Sequence, residues 1–424
     1  MTLRANRRRL LQAAAATATL AGFPAILHAG SARVVVIGGG FGGATAAKYL
    51  RRLDPGLEVT LVERDSTYVT CPESNHVLGG LKRMSDITVG YEHLQSGYGV
   101  KLVRGEVRAL DTRGQAVELA DGSRLPYDRA VIAPGVEMRF DVIEGYDAAA
   151  AERMPHAWKA GPQTELLRRQ LEAMPDGGTV IIAPPLNPSR CPPGPYERAS
   201  LIAWYLKAHK PRSKILILDA KDSYPHQAIF EAAWDSHYNG MIEWYGASSG
   251  GKVTRVDAKA MTVSTEFGAQ KADVINIIPP QRSPSVTRES GICDPWGWCP
   301  VDPRTLESTQ TRWVHVVGDA ANGVVMAKSA TSANAQAKIC AAAIVAMLSG
   351  RSPDAPSYAG TCYSTITPND AVSVTDVYRV ERQRIIEMLG SRGYSAPDEP
   401  AKTRAEEAIG ARAWYAGIVA DSFG

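Results

Sequence analysis

The sequence predicts an α/β chain: two Rossmann-like dinucleotide-binding domains and a smaller C-terminal α+β domain. Three observations carry this. A β-branched run, Val34 to Ile37, breaks into Gly38, Gly40 and Gly43 in the spacing G-x-G-x-x-G, then into Ala44, Ala46 and Ala47. A second strand–helix–strand pattern runs from Gly178 to Asp219. A Ser/Pro/Asp linker, 352–357, then sets off a third, smaller region.

Bulk composition narrows the class. A chain of 424 residues suits two or three domains, and 45% apolar with 21% charged residues suits a soluble protein with a real core. The formal charge of +3 comes from the leader: without Arg4, Arg7, Arg8 and Arg9 it is −1, and nothing points to nucleic acid. Arg7-Arg8-Arg9-Leu10-Leu11 precedes an alanine-rich run to about Ile26 and the cleavage-like His28-Ala29-Gly30. Residues 1–30 are therefore expected to be an export signal of twin-arginine type, the route that carries folded proteins. The expected location is periplasmic, with no integral membrane segment in the mature chain. The six cysteines can then be read as possible disulfides.

In the first unit, Gly38 makes the strand-to-helix turn. Gly40 admits a pyrophosphate, and Gly43 lets helix and strand pack closely. The helix N-terminus offers its unpaired N–H groups to the phosphates. A second strand, Glu58 to Val62, ends in Glu63, twenty residues after Gly43, where an acid meets ribose hydroxyls. Arg64 beside it is counted with the cofactor-binding residues. Arg104 to Leu125 alternates, with a hairpin turn at Asp121-Gly122. The strand Tyr127 to Ala133, closed by Pro134-Gly135, resembles the exit from the FAD domain in flavoproteins with two dinucleotide domains. Ala133 and Gly135 are accordingly cofactor-lining candidates.

The second unit expects a helix over Leu166–Met174, strands at Gly178–Ala183 and Lys214–Asp219, and a helix over Tyr196–Ala208. Its turn is Pro184-Pro-Leu-Asn-Pro-Ser-Arg-Cys-Pro-Pro-Gly-Pro195. Proline has no N–H and a fixed φ, so a nicotinamide dinucleotide has no phosphate cradle there. Asp273 to Ile278 is a strand. Trp313 to Ala320 returns to the first domain, and Asp319 after Gly318 suits a bond to a ribityl chain. Lys328 and Ser329 open a helix running to about Leu348, whose dipole favours negative charge on a reduced flavin. The expected division is 1–30 signal, 31–150 with 273–350 FAD domain, 151–272 second Rossmann-like domain and 351–424 C-terminal domain.

The cysteines carry the chemistry. Cys71 follows the second strand, in a loop that in this fold runs along the isoalloxazine edge; it is either a flavin attachment point or a small apolar filler. Cys191 sits in the proline loop and Cys362 beyond the flavin helix; as a pair they are either a staple or a redox disulfide. Cys293 and Cys299 bracket a turn and read as a local structural disulfide. Cys340 reads as a packed free thiol. Glu197, near Cys191, is a proton carrier or a helix-start acid. The sequence has no C-x-x-C-H, so this chain attaches no c-type haem. Its eight histidines show no metal-ligand spacing.

The motifs G-G-G-F-G-G-A-T-A-A-K-Y, T-C-P-E-S-N, R-C-P-P-G-P-Y-E-R-A-S, W-C-P-V-D, V-V-G-D-A, K-S-A-T-S-A-N-A-Q-A-K and T-C-Y-S together resemble the flavoprotein subunit of flavocytochrome c sulfide dehydrogenase. The resemblance covers nearly the whole mature chain and implies a glutathione-reductase-like fold. It implies that Cys71 carries FAD through an 8α-S-cysteinyl thioether, and that Cys191 and Cys362 are the redox pair beside the flavin. It also implies a separate c-type cytochrome subunit as partner, in a heterodimer. Ala330 departs from the pattern, standing where glycine is expected.

The expected reaction is attack of hydrosulfide on the Cys191–Cys362 disulfide, giving a persulfide and a thiolate. Cys362 is preferred as the flavin-facing thiolate. The electron pair passes to FAD and then singly to haem on the partner. A sulfide:quinone oxidoreductase and a non-catalytic flavin relay are the rivals. An NAD(P)H-dependent disulfide reductase is poorer, given the proline turn.

Overall fold

The computed structural model describes residues 31–424 apart from positions 324, 383, 389 and 392; the expected signal, 1–30, lies outside the described residues. The chain opens on β1 (Arg33–Ile37), α1 (Phe41–Leu53) and β2 (Glu58–Glu63), then adds β3 (Lys101–Arg104) and β4 (Arg129–Ile132). The next unit opens on α2 (Pro162–Ala173), which leads into β5 (Thr179–Ala183), α3 (Gly194–His209), β6 (Lys214–Leu218), β7 (Ile242–Tyr245) and β8 (Val274–Ile277). A returning strand, β9 (Val314–Val316), precedes α4 (Ala330–Leu348). The C-terminal region holds β10 (Ser357–Thr367), β11 (Asp370–Glu381), β12 (Arg384–Glu387) and α5 (Ala401–Phe423).

The first sheet is parallel throughout, in the order β9-β4-β1-β2-β3. The second is also parallel, in the order β7-β6-β5-β8. Parallel sheets need cover on both faces, which explains why Val34, Val36, Leu61, Val131 and Val316 are all buried. The expected hairpin turn is present: Ala116–Leu119 pairs antiparallel with Arg124–Pro126, and Gly122 has φ +86°.

Two boundaries differ from the sequence reading. The strand Val274–Ile277, assigned there to the returning segment 273–350, pairs in register with β5, Val180 against Val274 and Ala183 against Ile277. It therefore belongs to the second sheet, and the return begins after it. The helix expected from Leu166 starts four residues earlier, at Pro162, because Gly161 (φ +138°) turns the chain and proline fits the first helical turn.

The C-terminal region packs back onto the first domain. Asp421 of α5 accepts from Tyr49 on α1 (2.7 Å) and from Asn334 on α4 (2.8 Å). Phe423 lies 5.4 Å from Phe41 and 5.7 Å from Tyr68, ring centre to ring centre. Among the described residues one helix, α4, is long and apolar enough to cross a membrane by length and composition. Its Ala337, Cys340, Ala341 and Ile344 are wholly buried in the first domain's core, so its hydrophobicity is explained by packing. Cys340 is the packed thiol expected.

Gly43 sets the closeness of α1 to β1. A Cβ there would lie 1.8 Å from the Gly38 carbonyl oxygen, a backbone atom that cannot swing away. Gly43→Ala should destabilise the protein by about 1–3 kcal/mol, the usual cost of overpacking, and weaken flavin retention. Thermal melting with a parallel measurement of bound flavin checks this.

Candidate active site

One cleft runs between the two sheets' carboxyl edges, where doubly wound folds bind ligands. Gly40, Phe41 and Gly42 at the start of α1 line one end. Cys71, Ala133, Gly135, Gly318, Asp319 and Ser329 line its middle, and Cys191, Glu197 and Cys362 also face it. Of the sequence-predicted site residues, Gly38, Gly43, Glu63, Arg64 and Lys328 do not line it. Gly38 (φ +93°) and Gly43 build the turn beneath it. Glu63 accepts from the Gly39 amide at 2.6 Å and from the Arg64 and Asp65 amides at 2.9 and 3.1 Å. Arg64 is exposed and pairs with Asp65 at 3.2 Å. Lys328 turns back to donate to the Asp319 and Ala321 carbonyls at 2.7 and 3.0 Å and lies over the Trp298 ring. Burial lowers its pKa to about 8.

The cleft suits an adenine dinucleotide. A Cβ on Gly39 would come within 2.4 Å of the Tyr91 hydroxyl, so that backbone has no room for a side chain. The Tyr91 hydroxyl is buried and has no hydrogen-bond partner among the described residues. The first N–H groups of α1 have no intrahelical acceptor and open on the cleft that Gly40, Phe41 and Gly42 line. Ser329 caps α4, its hydroxyl accepting from the Ser332 amide at 3.2 Å. Ala330, the departure from the expected glycine, lines the cleft beside it.

The second domain contributes walls in place of a nucleotide cradle. Its first-turn amides are spent within the chain: Gly194 donates to the Cys191 carbonyl (2.8 Å), and Tyr196 and Glu197 donate to that of Pro193 (3.1 and 3.2 Å). Pro195 has no N–H to offer.

Two cysteines distant in sequence are tethered to consecutive residues. The Cys191 amide donates to the Lys328 carbonyl at 2.8 Å. The Cys362 sulfur lies 3.7 Å from the Ser329 hydroxyl. Both are free thiols. Cys191 has φ +47°, a strained conformation for a residue with a side chain. Burial raises the pKa of both thiols; the Glu197 carboxylate raises that of Cys191 further, while Ser329 and Thr331 act against the rise at Cys362. Cys293 and Cys299, expected as a local disulfide, are also thiols, with their sulfurs 3.5 Å apart.

Glu197 sits in the first turn of α3, held at both oxygens. The Asn75 side-chain amide donates to one (2.8 Å), and the Thr365 backbone amide of β10 donates to the other (2.9 Å). Burial outweighs these bonds and raises its pKa to about 7. Asn75 is itself fixed by the buried Arg198, which donates to its carbonyl at 3.0 Å and to Asn276 at 2.8 Å. Arg190 is a further residue the motifs did not single out. Its guanidinium donates to Asp319 (2.6 Å), to the Cys71 sulfur (3.3 Å) and to the Trp158 carbonyl (3.3 Å). Asn75 lies inside T-C-P-E-S-N and Arg190 directly before Cys191, so adjacency to motif cysteines was the available signal.

Known proteins resemble the chain in three segments. Residues 164–279 match the family model "Sulfide dehydrogenase [flavocytochrome c] flavoprotein chain, central". Residues 354–423 match "Flavocytochrome c sulphide dehydrogenase, flavin-binding", and 32–173 match "Pyridine nucleotide-disulphide oxidoreductase". The sulfide dehydrogenase [flavocytochrome c] flavoprotein chain of Chlorobaculum thiosulfatiphilum is 67% identical over 48 residues, which is 11% of this chain and all of that sequence. The sulfide-quinone reductase of Aquifex aeolicus is 29% identical over 43% of this chain and 41% of its own. The solved sulfide:quinone oxidoreductase from the same bacterium superposes with a TM-score of 0.68 at 18% identity, covering 92% of each chain, which shows a shared fold.

The Glu197 shift has a thermodynamic consequence. Its pKa is raised from 4.5 to about 7, so the folded state binds the proton more tightly and loses stability as pH rises between those values. The loss is at most roughly 3 kcal/mol. Denaturant titrations of wild type and Glu197→Gln at pH 5 and pH 8 should show this fall in wild type only.

Proposed function

We propose, for a chain that belongs to the flavoprotein chains of flavocytochrome c sulfide dehydrogenase, that sulfide is oxidised at a Cys191–Cys362 disulfide beside FAD carried on Cys71, and that the electrons leave to a c-type cytochrome subunit. The chain is a flavin-dependent sulfide dehydrogenase by family. The observation that carries the finer reading is the tethering of Cys191 and Cys362 to Lys328 and Ser329, one residue apart, on a single cleft. Export of the folded protein to the periplasm by residues 1–30 belongs to the same proposal.

The start of α1 would hold the pyrophosphate, Glu63 the ribose and Asp319 the ribityl chain, with Ala133, Gly135 and Ser329 along the ring. FAD, when bound, takes up an electron pair from a thiolate and releases it one electron at a time. Hydrosulfide attacks the Cys191 sulfur, the disulfide breaks, and Cys362 leaves as the thiolate. Cys191 now holds a persulfide. A second hydrosulfide takes the outer sulfur as a polysulfide and leaves Cys191 reduced. The pair then closes again as it gives up two electrons. Burial makes thiolates costly here, so protons must leave with the electrons. Glu197, with a pKa of about 7, is suited to accept them from the incoming sulfide and from Cys191.

The quinone-linked reading is favoured by the likeness to sulfide:quinone oxidoreductase, and one experiment separates the readings. Anaerobic sulfide should bleach the flavin, and oxidised c-type cytochrome should restore its colour faster than a quinone analogue or NAD⁺. Faster recovery with quinone supports the rival; no bleaching supports a flavin relay. Cys191→Ser should slow bleaching by roughly three orders of magnitude, because serine leaves no disulfide sulfur for hydrosulfide to attack. Wild-type bleaching in that variant would sink the disulfide scheme. Glu197→Gln should slow it about a hundredfold and remove the inflection near pH 7 from a pH–rate profile measured at a fixed concentration of hydrosulfide.

A further inference from the structure

We infer that Arg190 is the positioning residue for covalent flavin attachment: it holds the Cys71 sulfur and stabilises the negative charge that the sulfur carries once it has lost its proton and before the thioether forms. This rests on the reading above that Cys71 carries the flavin. Arg190 comes from the proline loop of the second domain, whereas Cys71 and Asp319 belong to the first. One guanidinium bridges them, with Nε on Asp319 at 2.6 Å and Nη1 on the Cys71 sulfur at 3.3 Å. Nη1 also donates to the Trp158 carbonyl at 3.3 Å. The bridge is desolvated: the Arg190 and Asp319 side chains are 14% and 12% exposed. A planar fork fixed at two ends cannot follow a moving side chain, so the sulfur is held at one place on the cleft wall. Gly135 leaves the space, since a Cβ there would lie 3.0 Å from the other guanidinium nitrogen. The Trp158 indole N–H, on a residue 6% exposed that also lines the cleft, has no hydrogen-bond partner among the described residues.

The bond-forming step balances without an added reagent. The Cys71 sulfur loses its proton and bonds to the methyl carbon at flavin position 8, which loses one hydrogen. The electron pair and the two hydrogens pass to the flavin ring, so the ring is the oxidant. A one-electron haem acceptor or dioxygen then restores it. Arg190 contributes a charge-assisted hydrogen bond to the sulfur as it becomes anionic. Asp319 fixes the guanidinium so that the bond is ready before attachment begins.

The test follows attachment itself. Full-length wild type, Arg190→Gln and Arg190→Lys are made without flavin and incubated with FAD, and the flavin remaining on the denatured chain is measured over time. Circular dichroism and total bound flavin report folding. Wild type should reach nearly complete attachment. Arg190→Gln should bind FAD but attach it about tenfold or more slowly, the size of one charged hydrogen bond. Arg190→Lys, which can reach only one partner at a time, should also be slowed, so it decides the matter if the glutamine variant does not fold. Attachment at the wild-type rate in whichever variant folds overturns the role of Arg190. If wild type itself releases all its flavin on denaturation, the Cys71 reading fails instead, which is a separate outcome.

Discussion

The hydrogen bond from the Cys191 amide to the Lys328 carbonyl holds the site together. It joins the second domain's loop to the segment that caps α4 in the first, and β10 closes on the same cap through Ser329. Three stretches far apart in the chain thereby meet along one cleft. The backbone accepts a cost for this, since Cys191 is held at φ +47°. That conformation persists because both sides of the loop are fixed, by Lys328 on one and by the start of α3 on the other.

The prolines that follow β5 serve the same arrangement. A second nucleotide pocket would need free amides at the start of α3. Here those amides are satisfied by Cys191 and Pro193, so the helix start becomes a wall and carries Glu197 to the cleft. The polar groups on that wall are paired across domains. Glu197 is held by Asn75 and Thr365, Asn75 by Arg198, and Asp319 by Arg190. In a desolvated cleft unpaired partners would be costly, which explains why each charge has a fixed neighbour.

Local patterns were legible in the sequence. Gly38, Gly40 and Gly43 declared the first turn because only a backbone without side chains fits there, and the structure puts 1.8 Å between a Gly43 Cβ and the Gly38 oxygen. The proline turn was legible because proline's missing N–H is a property of the residue itself. What lies between distant segments was not. Spacing alone left Cys191 and Cys362 open, and only the family resemblance paired them. The role of Arg190 is not legible locally because its sulfur partner is 119 positions away. A short, mostly β-branched strand such as Val274–Ile277 suits either sheet, and only its register with β5 decides.

Sulfide oxidation at this cleft requires Cys191 and Cys362 to be bridged in the oxidised protein. Peptide mapping of oxidised, full-length protein under acidic, non-reducing conditions tests this most directly. One cross-linked peptide joining Cys191 to Cys362, which separates on reduction, is the expected result. Recovery of both as alkylated thiols, or of either joined to a different cysteine, would contradict it.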